Sequence, residues 1–282
     1  MSKAKALGQH FLNDRSILRK ILGFIDPQKD ELVIEIGAGK GALTFPLAER
    51  AGKVIAIEKD PALIPVLREG GWKNLIVLER DVLAVNFREL LAAEPGFRGR
   101  VKVAGNLPYS ISSPLLFKVL ENKELFSACV FLLQKEVAQR LAAKPGSKSY
   151  APLSILFQLV FDVRLRLTLA PGAFSPPPRV QSALVSLEKR PAPLFPVADE
   201  DLFRRFLRAA FAQRRKTLIN NLRASPFAIR YLRELLHRLS IQESLRAEQL
   251  PVAAFVNLFE ELSRHPGLPR RPFGNGKATS KV

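Results

Sequence analysis

Residues 31–49, ELVIEIGAGKGALTFPLAE, constrain this chain more than any other stretch. LVIEI is rich in β-branched residues and reads as a buried strand. Gly37, Gly39 and Gly41 then make a tight turn into a helix, and such a turn lets a ligand approach the backbone closely. Seventeen residues past Gly41, a second strand in VIAIEKD ends at Glu58, where a carboxylate is placed to bind a ribose diol. Strand, glycine turn, helix and strand in this order form a parallel unit, the nucleoside-binding half of a Rossmann-like sheet.

The nucleoside needs separate argument. GAGKGA satisfies G-x-G-x-x-A, so the glycines do not exclude NAD. Glu35, however, stands two residues before the first glycine, where an acid would face a pyrophosphate. An acid suits a cationic cofactor better. S-adenosylmethionine has a sulfonium, an ammonium and no phosphate. An NAD oxidoreductase would also need a hydride-transfer site, and no residues suggest one.

Further strands follow. LIVLERDVL brings Asp81 to the same sheet edge, where its carboxylate can accept a hydrogen bond from an adenine amino group; an ordinary turn aspartate reads the same way. VKVA, residues 101–104, is an apolar strand that must stop before Pro108, because proline cannot donate to a ladder. It is followed by Gly105-Asn106-Leu107-Pro108-Tyr109-Ser110. Ligands of open α/β sheets bind at this edge. An amide oxygen beside a backbone carbonyl can accept both hydrogens of an exocyclic amine, and a neighbouring ring can stack on the base that carries it. SACVFLLQKEVAQRL is a fifth strand running into a helix with Lys135 and Arg140, which otherwise read as a solvated face. LSILFQLVF fits helix or strand. VRLRLTL alternates at strand period, and SALVSLE is the last strand after a proline elbow. Seven strands with helices between the first five predict a three-layer α/β domain with helices on both faces of the sheet.

The Pro-rich stretch from Arg190 marks a boundary. Beyond it the pattern turns helical. DEDLFRRFLRAAFAQRRKTLINNLR puts Phe203, Leu207 and Phe211 on one stripe, with Asp199 or Asp201 as cap. Two more helices are expected at 227–239 and 251–263. The expected organisation is a catalytic domain over 1–190, a small all-helical basic domain over 191–265, and a disordered basic tail over 266–282. At the other end, 1–14 reads as a basic frayed terminus, with Asn13 or Asp14 capping the helix in SILRKILGFI.

Charge indicates the partner. The 282 residues hold 44 Lys and Arg against 26 Asp and Glu, a formal charge of +18, which favours a polyanion. Arg214, Arg215 and Lys216 lie together in the helical segment and are candidate RNA contacts. A single cysteine, Cys129, excludes an internal disulfide and points to a reducing compartment. His10, His237 and His265 make no metal-ligand spacing with one cysteine. No apolar run approaches membrane length, and the N-terminus has no secretory signal core. A cytoplasmic monomer without metal or membrane partner is the expectation.

GQHFLND, EIGAGKGALT, IEKD, RDVL, GNLPYSISSPL, LLQKEVAQRL, AFSPPPRVQSALV and AFAQRRKTLINNL occur in the order found in the ribosomal RNA adenine dimethyltransferases, and the chain resembles that family from about Gly8 to Leu222, more weakly to Leu262. The resemblance is greatest to members acting on the small subunit, which dimethylate two adjacent adenosines in a hairpin loop near the 3′ end of its RNA. It implies S-adenosylmethionine as cofactor, with contacts from His10, Leu12, Gly37, Glu58, Asp81 and Asn106. It implies a catalytic set of Asn106, Leu107, Pro108 and Tyr109. It also implies an RNA or pre-30S partner, for which the basic residues Lys135 and Arg140 join Arg214, Arg215 and Lys216 as candidate contacts. His10 stands where many relatives have Asn. Large-subunit resistance methyltransferases share the catalytic half but generally lack a segment like QRRKTLINNL. A non-catalytic assembly or transcription factor on the same scaffold is the alternative of another class.

Overall fold

The structure is a computed structural model that describes residues 10–94, 97 and 99–264; the expected tail over 266–282 lies outside them. The described residues form two compact units. One comprises those up to Ala143 together with Leu156–Leu194, and the other Lys144–Ile155 together with those from Phe195 on.

The first unit is built on one seven-stranded sheet. Its strands are β1 (Leu32–Ile36), β2 (Lys53–Glu58), β3 (Leu75–Glu79), β4 (Val101–Asn106), β5 (Ala128–Gln134), β6 (Phe161–Leu169) and β7 (Ser182–Lys189), in spatial order β3-β2-β1-β4-β5-β7-β6. The first five are parallel, and β7 runs antiparallel between β5 and β6. All seven strands expected from the sequence are present.

Side chains alternate across a strand. Val33, Val54, Ala104 and Val130 face one way and pack with Ile21, Leu22 and Ile25 of helix α1 (Arg15–Ile25) and Leu47 of α2 (Thr44–Arg50). Ile34, Ile55, Val103 and Phe131 face the other way and are equally buried, so both faces are covered, as parallel sheets require. Asp14 caps α1, its carboxylate accepting the Ser16 and Ile17 amides at 2.8 and 3.1 Å. The described part of the N-terminal segment is not frayed: Phe11 and Leu12 pair with Ser175 and Phe174.

Sequence order reverses between β1 and β4, whose partners include Glu35 and Ala104. At such a reversal the loops leaving neighbouring strands diverge and open a crevice at their C-terminal ends. Helices α3 (Ile64–Glu69), α4 (Phe87–Ala92), α5 (Ser112–Glu121) and α6 (Lys135–Leu141) complete the connections, and the ambiguous apolar run resolves into α7 (Pro152–Val160).

In the second unit, α8 (Glu200–Ala210) is capped by Asp199, which accepts the Leu202 amide at 2.8 Å. It buries Phe203, Phe206, Leu207 and Ala210. Phe203 meets Phe259 at 5.1 Å, and Phe206 meets Phe227 at 5.4 Å. The continuous helix expected through LINNLR is corrected here. It stops at Ala210, turns through 211–217 and resumes as α9 (Leu218–Arg223). Asn221 is the physical reason. Its buried amide donates to the Ala210 carbonyl at 2.8 Å and the Gln213 carbonyl at 3.1 Å, and its oxygen accepts the Gln213 amide at 3.2 Å. A side chain that satisfies these backbone groups replaces the helical ladder. Arg214, Arg215 and Lys216 therefore sit on an exposed turn rather than a helix. Helix α10 (Leu232–Arg238) starts later than expected, and α11 (Val252–Ser263) lies within a residue of its expected position.

Candidate active site

A cavity of about 210 Å³ opens at the crevice between β1 and β4, with Gly37, Glu58, Asp81, Asn106 and Tyr109 among its lining residues. Its floor is the glycine turn. Gly37 and Gly39 have φ of +74° and +59°, a region that side-chain-bearing residues avoid. A Cβ on Gly39 would also press on the Phe11 ring at 3.2 Å.

Glu58 ends β2 and is locked in place by backbone donors. Its Oε2 accepts the Gly39 amide at 2.9 Å, and its Oε1 accepts the Lys59 and Asp60 amides, both at 2.8 Å. Oε2 thus has one partner and retains acceptor capacity.

Glu35, on β1, is 2% exposed, and its Oε2 has no hydrogen-bond partner among the described residues. Burial pushes its carboxyl up to about 8, the Thr44 hydroxyl opposes this, and the Glu58 charge adds to it. A buried carboxyl lacking a counter-charge at the wall of a cavity fits a cationic ligand.

Asp81 lies at the expected edge, but both its oxygens are engaged. Oδ2 accepts from the Lys59 ammonium and Oδ1 from the Leu83 amide, at 2.8 and 2.9 Å. The Lys59 hydrogen bond, then the Leu83 amide, hold this carboxyl below the usual carboxylate range. Each oxygen has one donor and keeps acceptor capacity, so an adenine amine at Asp81 would share an oxygen with Lys59 or with the Leu83 amide.

The N-terminal segment organises the reacting end. The Asn106 amide nitrogen donates to the His10 carbonyl at 2.7 Å. The amide is thereby oriented, with Oδ1 left as the acceptor. His10 Nδ1 lies 2.7 Å from the Pro176 carbonyl; since a carbonyl only accepts, the proton sits on Nδ1. Leu12 is buried beside the cavity, and the Lys40 ammonium lies 5.2 Å from the centre of the Phe11 ring.

The loop after β4 separates two candidate acceptors. The Pro108 carbonyl already accepts the Ile111 amide and the Ser112 hydroxyl, at 3.1 and 3.2 Å. The Leu107 carbonyl has no donor among the described residues, although its own amide is fixed to the Leu132 carbonyl at 3.1 Å. Tyr109 shares a 2.8 Å hydrogen bond with the Ser182 hydroxyl, and its ring lies 5.6 Å from that of His10.

The cavity thus gathers every residue that the resemblance implied for cofactor and catalysis. Lys135 and Arg140 lie apart from its lining, on α6: Lys135 donates to Gln181 and Arg140 pairs with Glu136 at 2.8 and 2.7 Å. Sequence reasoning missed Ser182, Lys59 and the Pro176 carbonyl, whose roles arise from distant contacts that no local pattern announces. Among the described residues no group of three His, Cys, Asp or Glu side chains is placed to hold a metal, and no helix is long and apolar enough to cross a membrane.

The sequence profile described as ribosomal RNA adenine dimethylase matches residues 1–264. The chain is 45% identical to ribosomal RNA small subunit methyltransferase A of Geobacter sulfurreducens, over 92% of this chain and 94% of that one. Among solved structures it is similar to a dimethyladenosine transferase from Plasmodium falciparum, with a TM-score of 0.78 and 28% identity over 90% of this chain and 98% of that one. It shares its fold with the 23S rRNA methyltransferase ErmE, with a TM-score of 0.70 and 24% identity over 90% of this chain and all of that one.

Proposed function

The chain belongs to the ribosomal RNA adenine dimethylase family, and we propose that it methylates N6 of two adjacent adenosines in the 3′-terminal hairpin loop of small-subunit (16S) ribosomal RNA, giving N6,N6-dimethyladenosines. It is an S-adenosylmethionine-dependent rRNA adenine dimethyltransferase. The observation that carries the proposal is the orientation of Asn106, whose amide is pinned through nitrogen to the His10 carbonyl so that its oxygen is free to accept.

The residues present fit the cofactor. When bound, S-adenosylmethionine supplies an electrophilic methyl group on a sulfonium. Glu58 would hold the ribose diol through Oε2, Gly37 and Gly39 leave room for close approach to the backbone, and Glu35 would offset positive charge. Asp81 and Lys59 border the place for the adenine amine.

Adenine's exocyclic amine is a poor nucleophile because its lone pair is delocalised into the ring. Asn106 Oδ1 and the Leu107 carbonyl would take its two hydrogens, drawing the nitrogen toward tetrahedral geometry and aiming the lone pair. The Pro108 carbonyl, already doubly occupied, serves the turn instead. Tyr109, tethered through Ser182, would stack on the base. The proton leaves after the nitrogen has taken the methyl group, so no strong general base is needed. Orientation and charge placement supply the acceleration. The target base must be unpaired or flipped to reach the cavity.

Arg214, Arg215 and Lys216, with Lys135 and Arg140, would contact the RNA of a pre-30S particle, with the protein acting as a cytoplasmic monomer. The test is incubation with labelled S-adenosylmethionine and either isolated small subunits or protein-free RNA, followed by mapping of modified bases. Label at N6 of two adjacent adenosines in the 3′-terminal loop is expected. Label confined to large-subunit RNA, or none at all, refutes the assignment.

A further inference from the structure

Three carboxylates, those of Glu35, Glu58 and Asp81, line the cavity. Such a lining suits the sulfonium and the ammonium of S-adenosylmethionine. It does not suit the carboxylate at the end of the same tail, which would be a fourth anion among three, and like charges at close range repel. That carboxylate needs a donor of its own.

Four basic side chains reach the lining, and three of them are committed or placed elsewhere. The Lys59 ammonium pairs with Asp81 at 2.8 Å. His10 Nδ1 donates to the Pro176 carbonyl at 2.7 Å, which leaves a neutral ring only an acceptor at Nε2. Arg80 directly precedes Asp81, and its backbone amide donates to the Glu58 carbonyl at 2.9 Å, so it belongs to the adenine and ribose end.

Lys40 remains. It follows Gly39 in the glycine turn, is exposed, and forms no ion pair among the described residues. Its ammonium lies 5.2 Å from the centre of the Phe11 ring, where the ring attracts a cation. That ring is itself fixed. Phe11 pairs with Ser175 through the backbone, and the ring lies 3.2 Å from where a Cβ on Gly39 would stand. Gly39, Phe11 and Lys40 thus form one stack at the edge of the cavity. The adenine end is at Asp81 and the reacting end at Asn106, so the tail is left the glycine turn and the segment over it. Lys40 stands there.

We propose that Lys40 binds the carboxylate of the S-adenosylmethionine tail. The proposal rests on the reading of the chain as an S-adenosylmethionine-dependent enzyme. It adds to that reading a partner for the one negative charge of the cofactor.

The test is calorimetry on the full chain with two ligands. One is S-adenosylmethionine. The other is its decarboxylated form, which keeps the sulfonium and the ammonium and lacks only the carboxylate. The variants are Lys40→Met, which keeps an unbranched side chain without charge, and Lys40→Arg. A solvent-screened ion pair contributes up to about fivefold in affinity. Lys40→Met should weaken S-adenosylmethionine binding by about this factor, and the deficit should shrink as salt is raised. The decarboxylated ligand should bind Lys40→Met at least as tightly as it binds wild type, because the group that Lys40 answers is gone. Lys40→Arg keeps the charge and should bind S-adenosylmethionine much as wild type does. Equal weakening of both ligands by Lys40→Met overturns the proposal, since it marks an altered turn rather than a lost charge pair. Unchanged affinity of Lys40→Met for S-adenosylmethionine overturns it as well. In both cases binding by the wild type leaves the underlying reading intact. If the wild type binds no S-adenosylmethionine, the proposal and that reading fail together.

Discussion

Glu35 offers a test that needs no RNA. Its carboxyl is buried at the cavity wall with one oxygen unpartnered, and burial pushes its pKa from the ordinary 4.5 to about 8. Between those values the folded protein keeps a proton that the unfolded chain has released. Stability attributable to this group is therefore complete below about pH 4.5, falls as pH rises, and is fully lost above about pH 8. A rise of this size corresponds to a penalty on the order of 5 kcal/mol at alkaline pH. Glu35→Gln keeps the shape and removes the titration. Urea denaturation of the ligand-free protein should show the variant close to wild type at pH 4.5 and more stable by several kcal/mol at pH 8.5. Cofactor binding should move oppositely, since the glutamine has no charge to set against the sulfonium and ammonium. Calorimetry should find weaker binding for Glu35→Gln at pH 8, and wild-type affinity falling on the acid side as Glu35 takes up its proton, a limb the variant lacks. A stability difference between wild type and variant that stays constant from pH 4.5 to 8.5 refutes the argument, because it means that Glu35 titrates alike in both states.

Other expectations follow from the same contacts. Asn106→Ala removes an oriented acceptor, a loss of about 3 kcal/mol in comparable electrostatic sites, so single-turnover methylation at saturating cofactor should slow by roughly a hundredfold or more; a folded variant with a near-normal rate would end the proposed mechanism. Tyr109→Phe loses only the bond to Ser182, worth about 1 kcal/mol, and should stay within severalfold of wild type. Tyr109→Ala also loses stacking worth about 1–3 kcal/mol and should lose most activity without unfolding; equal rates for the two variants would exclude stacking. Asn221→Ala strands the backbone groups of Ala210 and Gln213, at a cost of about 1–3 kcal/mol, and should lower melting temperature and RNA affinity together while calorimetric cofactor affinity holds.

The parallel sheet was legible in the sequence because each strand is a short apolar run closed by a turn signal, and burial on both faces requires such runs. The glycine turn was legible for a similar reason: glycine takes the positive φ values that Gly37 and Gly39 adopt without the steric cost a Cβ brings, so a cluster of glycines after a strand reports the backbone. Helical periodicity in α8 reports its buried stripe but not where the helix stops. Nothing in FAQRRKTLI breaks a helix, and the break follows from Asn221 reaching back to Gln213, a contact across 8 residues that competes with the ladder. Arg214, Arg215 and Lys216 owe their place on an exposed turn to that side chain. The site divides in the same way. Glu58, Asp81 and the Asn106–Tyr109 loop could be assigned to one sheet edge, because strand order and the end of each strand dictate it. Their chemical state could not be. Asn106 is oriented by a carbonyl 96 residues away, Tyr109 by a hydroxyl 73 residues away, and His10 by a carbonyl 166 residues away. Such partners meet only after the chain has folded, since local sequence sets backbone preference and burial pattern. Which hydrogen-bonding atoms are used up, and which remain free to bind a substrate, is settled by residues distant in sequence that packing brings together.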